Sequence, residues 1–171
     1  MQEILDIVDK NGKPTGKTIS KQEAHAKGIR HRVIHVWMYN DKQDILLQKR
    51  AATKQLFPSY WDVAVAGHID AGEEPIQAAL REAQEELGIQ LDKNKLRLWR
   101  VENEEFHFNN LHENEVYYIY TYKHNQLPTN LQQEEVEQVA YFSKENLPEK
   151  KTPHARVWEL IFTRIQELES N

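Results

Sequence analysis

Two kinds of hydrophobic pattern run along the 171 residues of the chain, and each predicts a different element. Runs of β-branched, aromatic and other apolar residues bounded by short turns are typical of strands. These runs are residues 3–8, 31–39, 45–50, 61–66, 96–106, 115–122 and 134–142. The turn residues Asn40 and Asp41 join two of these runs into a predicted hairpin.

Capping residues and apolar positions at helical spacing predict three helices. Ser20 and Glu23 form a capping box, and Gly28 is placed to end this first helix. The second helix is expected over residues 75–87, with a proline in its first turn. The third begins after Thr152, which can cap it, and carries an apolar face towards the C-terminus.

The order of these elements predicts an α/β fold of the α+β type. Strands outnumber helices, and many neighbouring strands are joined by connections too short for a parallel crossover. We therefore expect a mixed, largely antiparallel sheet covered by helices. No linker-like stretch and no repeat interrupts the chain, so residues 1–171 are expected to form one domain.

The composition excludes several classes of protein. The chain has 22 Lys plus Arg and 27 Asp plus Glu, a formal charge of −5, so it lacks the basic field of a general nucleic-acid binder. It has no cysteine, which excludes disulfides, thiolate metal sites and cysteine nucleophiles. Apolar runs such as 63–66 are far shorter than the roughly 20 residues of a membrane span. We expect a cytoplasmic protein that binds neither membranes nor nucleic acid.

An acidic sector on the second predicted helix is the first candidate site. Glu82, Glu85 and Glu86 fall within about 100° of one another, beside the apolar stripe that must pack on the sheet. Like charges at this spacing, near the C-terminal end, destabilise a free helix. A bound Mg²⁺ would offset that repulsion, because this cation prefers carboxylate oxygens. Considered on this helix alone, an exposed acidic face with Arg81 paired to Glu85 is the alternative.

The wider spacing around this helix favours the metal site. Residues 67–89 read GHIDAGE, then seven residues, then REAQEELGI. This segment resembles the Nudix box, G-x5-E-x7-R-E-U-x-E-E-x-G-U with U apolar, at every specified position. Ala83 is a small occupant of one apolar position. A match of this length is far more specific than a lone glycine motif.

The resemblance implies a Nudix hydrolase with an α/β/α sandwich and a mixed sheet. Such an enzyme cleaves the phosphoanhydride bond of a nucleoside diphosphate linked to another group X, or of a related diphosphate, with Mg²⁺ or Mn²⁺ as cofactor. The residues implied as metal ligands are Glu82, Glu85, Glu86 and the carbonyl of Gly67. The residues implied to shape the box are Glu73, Arg81 and Gly88.

Outside the box, residues from about Ile4 to Tyr122 resemble the branch that contains isopentenyl-diphosphate isomerase. The resemblance rests on segments such as Ala24-His25, Gly67-His68 and 113–116. It implies an additional metal site, whose candidate ligands are His25, His31, His68, Glu113 and Glu115. It also implies that the diphosphate is bound by Lys21, Arg50 and Lys54. Structural, hydrogen-bonded histidines are the alternative to a second metal site.

The catalytic cysteine of that isomerase does not carry over. It immediately precedes the Gly-His pair, and Ala66 stands there in this chain. Alanine neither delivers nor accepts a proton, so the isomerase reaction is disfavoured.

Glu113 and Glu115 are expected on one face of a strand. Glu115 is therefore a candidate general base alongside Glu82 and Glu85, with a solvated strand start as the alternative.

Three functions remain open from the sequence. The leading hypothesis is a metal-dependent hydrolase in which a carboxylate activates water for attack at phosphorus. The second is an isomerase of isoprenoid diphosphates with an altered proton relay. The third is a module that senses a nucleotide or diphosphate without cleaving it. The expected partner is a small-molecule diphosphate, a homodimer is a possible assembly, and the group X cannot be read from the sequence.

Overall fold

The computed structural model describes residues 2–170. Within this range the chain forms nine strands and three α-helices in the order β1 Ile4–Val8, β2 Pro14–Ser20, α1 Lys21–Lys27, β3 His31–Tyr39, β4 Ile45–Arg50, β5 Trp61–Val63, β6 Val65–His68, α2 Pro75–Leu87, β7 Arg97–Phe108, β8 Leu111–Lys123, β9 Val136–Phe142 and α3 Ala155–Glu169. No helix in the described part of the chain is long and apolar enough to span a bilayer.

A seven-stranded mixed sheet organises the fold. Five of its strands lie in the order β5-β4-β3-β8-β7, while β6 pairs with β3 and β9 pairs with β4. Strands β3 and β8 are parallel, and the other pairs are antiparallel. A separate antiparallel pair is formed by β1 and β2. The mixed, largely antiparallel sheet predicted from the sequence is confirmed.

Alternating side chains of β3 separate two cores. Ile34, Val36 and Met38 pack with the apolar stripe of α2 on one face of the sheet. Val33 and Trp37 pack with α3 on the other face. This strict alternation puts His31 and His35 on the α3 side of the sheet.

The helix boundaries follow the capping signals for two of the three helices. The side chain of Ser20 accepts the backbone N–H of Glu23 at 3.3 Å, and Gly28 ends α1 with φ +64°. Helix α2 has the predicted bounds and ends at Gly88, with φ +66°. Helix α3 begins later than predicted, because Thr152 donates its hydroxyl to Asp62 at 2.8 Å instead of capping a helix.

Several strand predictions differ from the structure, and β8 begins at Leu111 instead of Glu115. The run 61–66 forms two strands that separate at Ala64, because β5 pairs with β4 whereas β6 pairs with β3. Strand β6 also extends to His68, two residues beyond the end of the predicted run. Strand β2 was not predicted, since most of its residues are exposed and it carries no apolar alternation.

Candidate active site

A cavity of about 620 Å³ receives most of the predicted site residues. This volume lies in the range of about 300–1,000 Å³ that is typical of small-molecule sites. Its wall combines carboxylates of α2, histidines of α1, β3 and β6, and basic residues around β4.

Arg81 organises the corner of the cavity formed by the box. Its Nε and Nη2 donate to the carboxylate of Glu73 at 3.0 and 2.9 Å, and Nη2 also donates to the carbonyl of His68 at 3.0 Å. Glu73 in turn accepts the backbone N–H of Asp70 at 3.1 Å. The hydrogen bonds to Glu73 raise the pKa of Arg81 further above its ordinary value. These contacts join the loop before α2 to the helix.

Glu82 fills the space in front of Gly67. A Cβ atom at position 67 would lie only 2.2 Å from Cδ of Glu82, so any larger residue there would displace the Glu82 carboxylate. The carboxylate of Glu82 also accepts a hydrogen bond from Nη1 of Arg81 at 2.7 Å. Its side chain is only 15% exposed, and burial raises its pKa to about 7 even though Arg81 opposes this change.

Glu86 is buried deeper than Glu82. Its carboxylate accepts hydrogen bonds from Nε2 of Gln48 at 3.0 Å and from the backbone N–H of Ala66 at 3.4 Å. Burial, reinforced by the charge of Glu82, raises the pKa of Glu86 well above its ordinary value. A buried carboxylate with few donors is relieved either by a proton or by a cation.

The three box carboxylates line one cavity but are not gathered into one ligand cluster. Arg81 holds Glu82 and also lies 3.3 Å from Glu85, whose side chain is 52% exposed. Glu86 turns instead towards Gln48. Within residues 2–170, the group whose potential ligand atoms all lie within 4.8 Å of one another is formed by His25, His31, His68 and Glu115.

This second group, the histidine cluster, is compact and nearly enclosed. Nε2 of His25 lies 3.1 Å from Nε2 of His68, and Nε2 of His31 lies 3.3 Å from Oε1 of Glu115. The three imidazole rings have centroids 5.1 to 5.3 Å apart. Nδ1 of His31 lies 2.8 Å from the carbonyl of Ile29, a contact in which Nδ1 must donate. Its Nε2 therefore faces the cluster and Oε1 of Glu115.

Burial favours the neutral form of two imidazoles in the histidine cluster, those of His25 and His68. Burial, followed by the influence of His31, lowers the pKa of His25 to about 4. Burial also lowers the pKa of His68 well below its ordinary value. Glu115 has a lowered pKa despite its burial, because His31 and the hydroxyl of Tyr117 stabilise its carboxylate.

Glu113 contacts the histidine cluster through His25. Its Oε1 lies 3.2 Å from Nδ1 of His25, and neither of its oxygens has a hydrogen-bond partner among residues 2–170. Burial, followed by the charge of Glu115, raises its pKa to about 8. Neutral imidazoles facing each other beside carboxylates are a donor set that suits a divalent transition-metal ion.

The three basic residues predicted to bind phosphate also line the cavity, each beside an acidic partner. Lys21 pairs with Glu3 at 2.9 Å. Arg50 lies 3.2 Å from Asp62 and donates from Nε to the carbonyl of Leu56 at 3.0 Å. The third residue, Lys54, contacts Glu135 closely. The hydrogens on Arg50 that these bonds leave unused can reach a phosphate without breaking the bond to Asp62.

The polar residues of the cavity wall that were missed from the sequence include His35, Asp62, Tyr117 and His154. One signal was available for His35, which follows His31 by four residues and therefore shares its face of the strand. No motif marks Asp62 or His154. His154 reaches the cavity only because the segment before α3 folds against β5, where the N–H of Thr152 donates to the carbonyl of Trp61 at 2.9 Å.

Comparison with known proteins identifies the family. The family described as NUDIX domain matches residues 29–160. An uncharacterized Nudix hydrolase of Listeria monocytogenes, lmo0368, is 38% identical over 145 residues, which cover 85% of this chain and 82% of that protein. An isopentenyl-diphosphate Delta-isomerase of Pectobacterium atrosepticum is 46% identical over 83 residues, which cover 48% of this chain and 46% of the isomerase.

Solved structures show the same fold. DR0079 of Deinococcus radiodurans superposes with a TM-score of 0.70 at 20% identity, covering 93% of this chain and 97% of that one. The NUDIX domain of Shewanella oneidensis NrtR, solved as a complex with ADP ribose, has a TM-score of 0.61 at 17% identity, covering 78% of this chain and 87% of that one.

The chain therefore belongs to the NUDIX domain family, as the box predicted. Its relatives support the further assignment to the Nudix hydrolases, the class of pyrophosphohydrolases predicted from the sequence. The chain spans most of the Listeria relative, but only 12% of the length of a plant relative, Nudix hydrolase 3 of Arabidopsis thaliana.

Proposed function

We propose that this protein is a metal-dependent hydrolase that cleaves the phosphoanhydride bond of a diphosphate attached to a group X. The observation that carries the proposal is the shared cavity. It is lined by the box carboxylates, by His25, His68 and Glu115 of the histidine cluster, and by the three basic residues. A diphosphate needs bound cations and basic side chains, because its anionic oxygens must be neutralised before a nucleophile can approach phosphorus.

The chain supplies ligands for Mg²⁺ or Mn²⁺ in two places. Glu82, Glu85 and Glu86 offer oxygen donors beside Gly67. The pKa values of Glu82 and Glu86 are raised, as expected for buried ligands that lack their cation. The histidine cluster offers mixed nitrogen and oxygen donors, which suit Mn²⁺ better than Mg²⁺. A bound divalent cation would neutralise diphosphate charge and lower the pKa of a coordinated water.

The side chains of the cavity bind the substrate and accept the proton of the attacking water. Arg50, Lys54 and Lys21 bind the diphosphate oxygens and hold the phosphorus in the cavity. Water attacks phosphorus while a carboxylate, Glu82 or Glu115, takes its proton. A new P–O bond forms, the bond to the bridging oxygen breaks, and the leaving phosphate carries away the electron pair.

The test is a panel of nucleoside and non-nucleoside diphosphates incubated with Mg²⁺, Mn²⁺ or a chelator. Products are identified by mass spectrometry. We expect cleavage at phosphorus that requires the cation, and a loss of turnover of at least about 100-fold in Glu86→Gln. Glu159→Gln, which removes an exposed carboxylate from α3, is the matched control and should retain full turnover. Absence of cation-stimulated cleavage, or full activity in Glu86→Gln, would overturn the proposal.

Isopentenyl diphosphate separates hydrolysis from isomerisation. The histidine cluster keeps the residue set of the isomerase-like branch, but Ala66 places no proton donor or acceptor beside Gly67. We expect released phosphate, or no reaction, instead of the allylic isomer. Formation of the isomer would favour the isomerase, and tight binding without turnover of any compound would favour a sensing module.

A further inference from the structure

The cavity has a polar wall to which the proposed reaction assigns no direct step. We call it the inner wall; it consists of His35, Asp62, Tyr117 and His154. All four residues are buried, so their polar groups have little access to bulk water. Buried polar groups destabilise a protein unless something satisfies their hydrogen bonds.

His154 is the most firmly placed member of the inner wall. Its Nδ1 lies 2.9 Å from Oε2 of Glu104, and because a carboxylate accepts, Nδ1 carries the proton. Burial lowers the pKa of His154, but the bond to Glu104 and the charge of Asp62 outweigh that effect and raise the pKa overall. The ring packs edge-on against His35, with centroids 4.7 Å apart. Its orientation is therefore fixed.

The other nitrogen of His154 can bond to a ligand, because Nε2 accepts a hydrogen bond in the neutral ring and donates one in the imidazolium. Nε2 lies 3.9 Å from Oδ1 of Asp62, which is beyond hydrogen-bond distance. Oδ1 of Asp62 already accepts the hydroxyl of Thr152 and the backbone N–H of Val63, each at 2.8 Å. These two hydrogen bonds hold Asp62 in place and oppose its movement towards His154.

His35 adds an independent observation. Its Nδ1 is enclosed and has no hydrogen-bond partner among residues 2–170. Burial, followed by the influence of His154, lowers the pKa of His35 to about 3, so the ring is neutral and can accept as well as donate. An unsatisfied imidazole next to His154 marks a place where a polar ligand group would restore lost hydrogen bonds.

We propose that the inner wall binds the group X of the substrate through hydrogen bonds, that X is a hydroxyl-bearing group, and that His154 is a specificity-determining residue positioned by Glu104. This inference rests on the proposed function, because it takes the diphosphate to be bound in the same cavity. Phe57 and Phe106, which also line the cavity, supply apolar contact for the carbon skeleton of X.

The same geometry disfavours a hydrocarbon X. An alkyl chain against the inner wall would offer no hydrogen bond to Nε2 of His154 or to Nδ1 of His35. Sites built to bind a hydroxyl group discriminate strongly against analogues that lack it, for this reason. The small side chain of Ala66 leaves the approach to this wall open, since Ala66 lies opposite His35 in the pairing of β6 with β3.

The test compares two five-carbon ligands that differ in polarity. Methylene-bridged analogues of ribose 5-diphosphate and isopentenyl diphosphate resist hydrolysis, so their affinities can be measured by calorimetry in the presence of Mn²⁺. Methylenediphosphonate, which lacks X, is the reference. We expect the wild-type protein to bind the ribose analogue at least about 10-fold more tightly than the isopentenyl analogue.

Variants identify the residues responsible. His154→Phe should bring the ratio of the two affinities close to one while leaving methylenediphosphonate binding unchanged. Glu104→Gln, which is nearly isosteric, should reduce the ratio by a smaller factor and keeps the test valid if His154→Phe does not fold. Glu105→Gln is the matched control, because it removes a similar pair with His112 (2.7 Å) from an exposed position that does not line the cavity. It should leave the ratio unchanged.

The outcomes separate this inference from the proposed function. A wild-type ratio near one, a preference for the isopentenyl analogue, or a ratio that survives in both His154→Phe and Glu104→Gln overturns the role of the inner wall. Failure of all three ligands to bind overturns both proposals. A clear preference for the ribose analogue in a protein that hydrolyses no diphosphate would overturn the proposed function but support the inner wall as a binding site.

Discussion

Replacing Glu82 by glutamine should stabilise the metal-free protein at alkaline pH. The pKa of Glu82 rises from an ordinary value of 4.5 to about 7 in the folded state, mainly because its carboxylate is buried. The folded state therefore holds this proton more tightly than the unfolded state. Its contribution to stability is fully present below pH 4.5 and is lost as the pH rises through 7.

The size of the effect follows from the same values. A pKa raised from 4.5 to about 7 corresponds to about 3 kcal/mol of free energy of unfolding, since one pH unit is worth about 1.4 kcal/mol. Because the side chain is only 15% exposed, solvent screening reduces this figure little. Glutamine has a similar shape and no charge, so Glu82→Gln should gain about 3 kcal/mol over the wild type at pH 8 and almost nothing at pH 4.

Urea unfolding monitored by tryptophan fluorescence, in a chelator, measures this difference at several pH values. The comparison between the two proteins cancels the titration of the buried histidines, which both share. Glu159→Gln is the control for removing an exposed negative charge. A difference that does not change between pH 4 and pH 8, or a variant less stable than the wild type at pH 8, would refute the reasoning. Adding Mn²⁺ at pH 8 should stabilise the wild type more than the variant.

Three further predictions test the supports of the site. Gly67→Ala forces a Cβ to within 2.2 Å of Cδ of Glu82, so turnover should fall at least about 10-fold, measured on a diphosphate that the wild type cleaves. Arg81→Lys keeps the charge but loses the paired bonds to Glu73, and should lower the free energy of unfolding by about 1–3 kcal/mol in urea titrations. Ile161→Ala leaves a cavity under α3 and should cost about 2–5 kcal/mol by the same assay, with little effect on metal affinity.

Local chemistry explains which parts of the fold could be predicted. Helix α2 was predicted with its exact bounds because Pro75 marks its first turn and Gly88 its end. Strand β2 was missed because its side chains face solvent, so no hydrophobic pattern records its pairing with β1. The start of α3 was misplaced because Thr152 has a distant partner, Asp62, that competes with helix capping.

The candidate site likewise combines residues that local motifs mark with residues that only the tertiary packing brings together. The box placed Glu82 and Glu86 on one helix, and the structure puts both on the wall of the cavity. The histidine cluster needs α1, β3, β6 and β8 to meet, and only the isomerase-like resemblance pointed to it. The pair formed by His154 and Glu104 joins residues 50 positions apart, with no motif at either end. Contacts of this kind depend on the packing of α3 against the sheet and cannot be read from local sequence patterns.

The central claim is that the box carboxylates hold the cations that make a diphosphate reactive. Anomalous diffraction from crystals soaked in Mn²⁺ tests it most directly, because the signal locates each ion without reference to turnover. We expect one peak within coordination distance of Glu82 and Glu86, whether or not a second peak lies in the histidine cluster. Crystals that show Mn²⁺ only among the histidines, with Glu82 still bonded to Arg81 and Glu86 still bonded to Gln48, would contradict the claim.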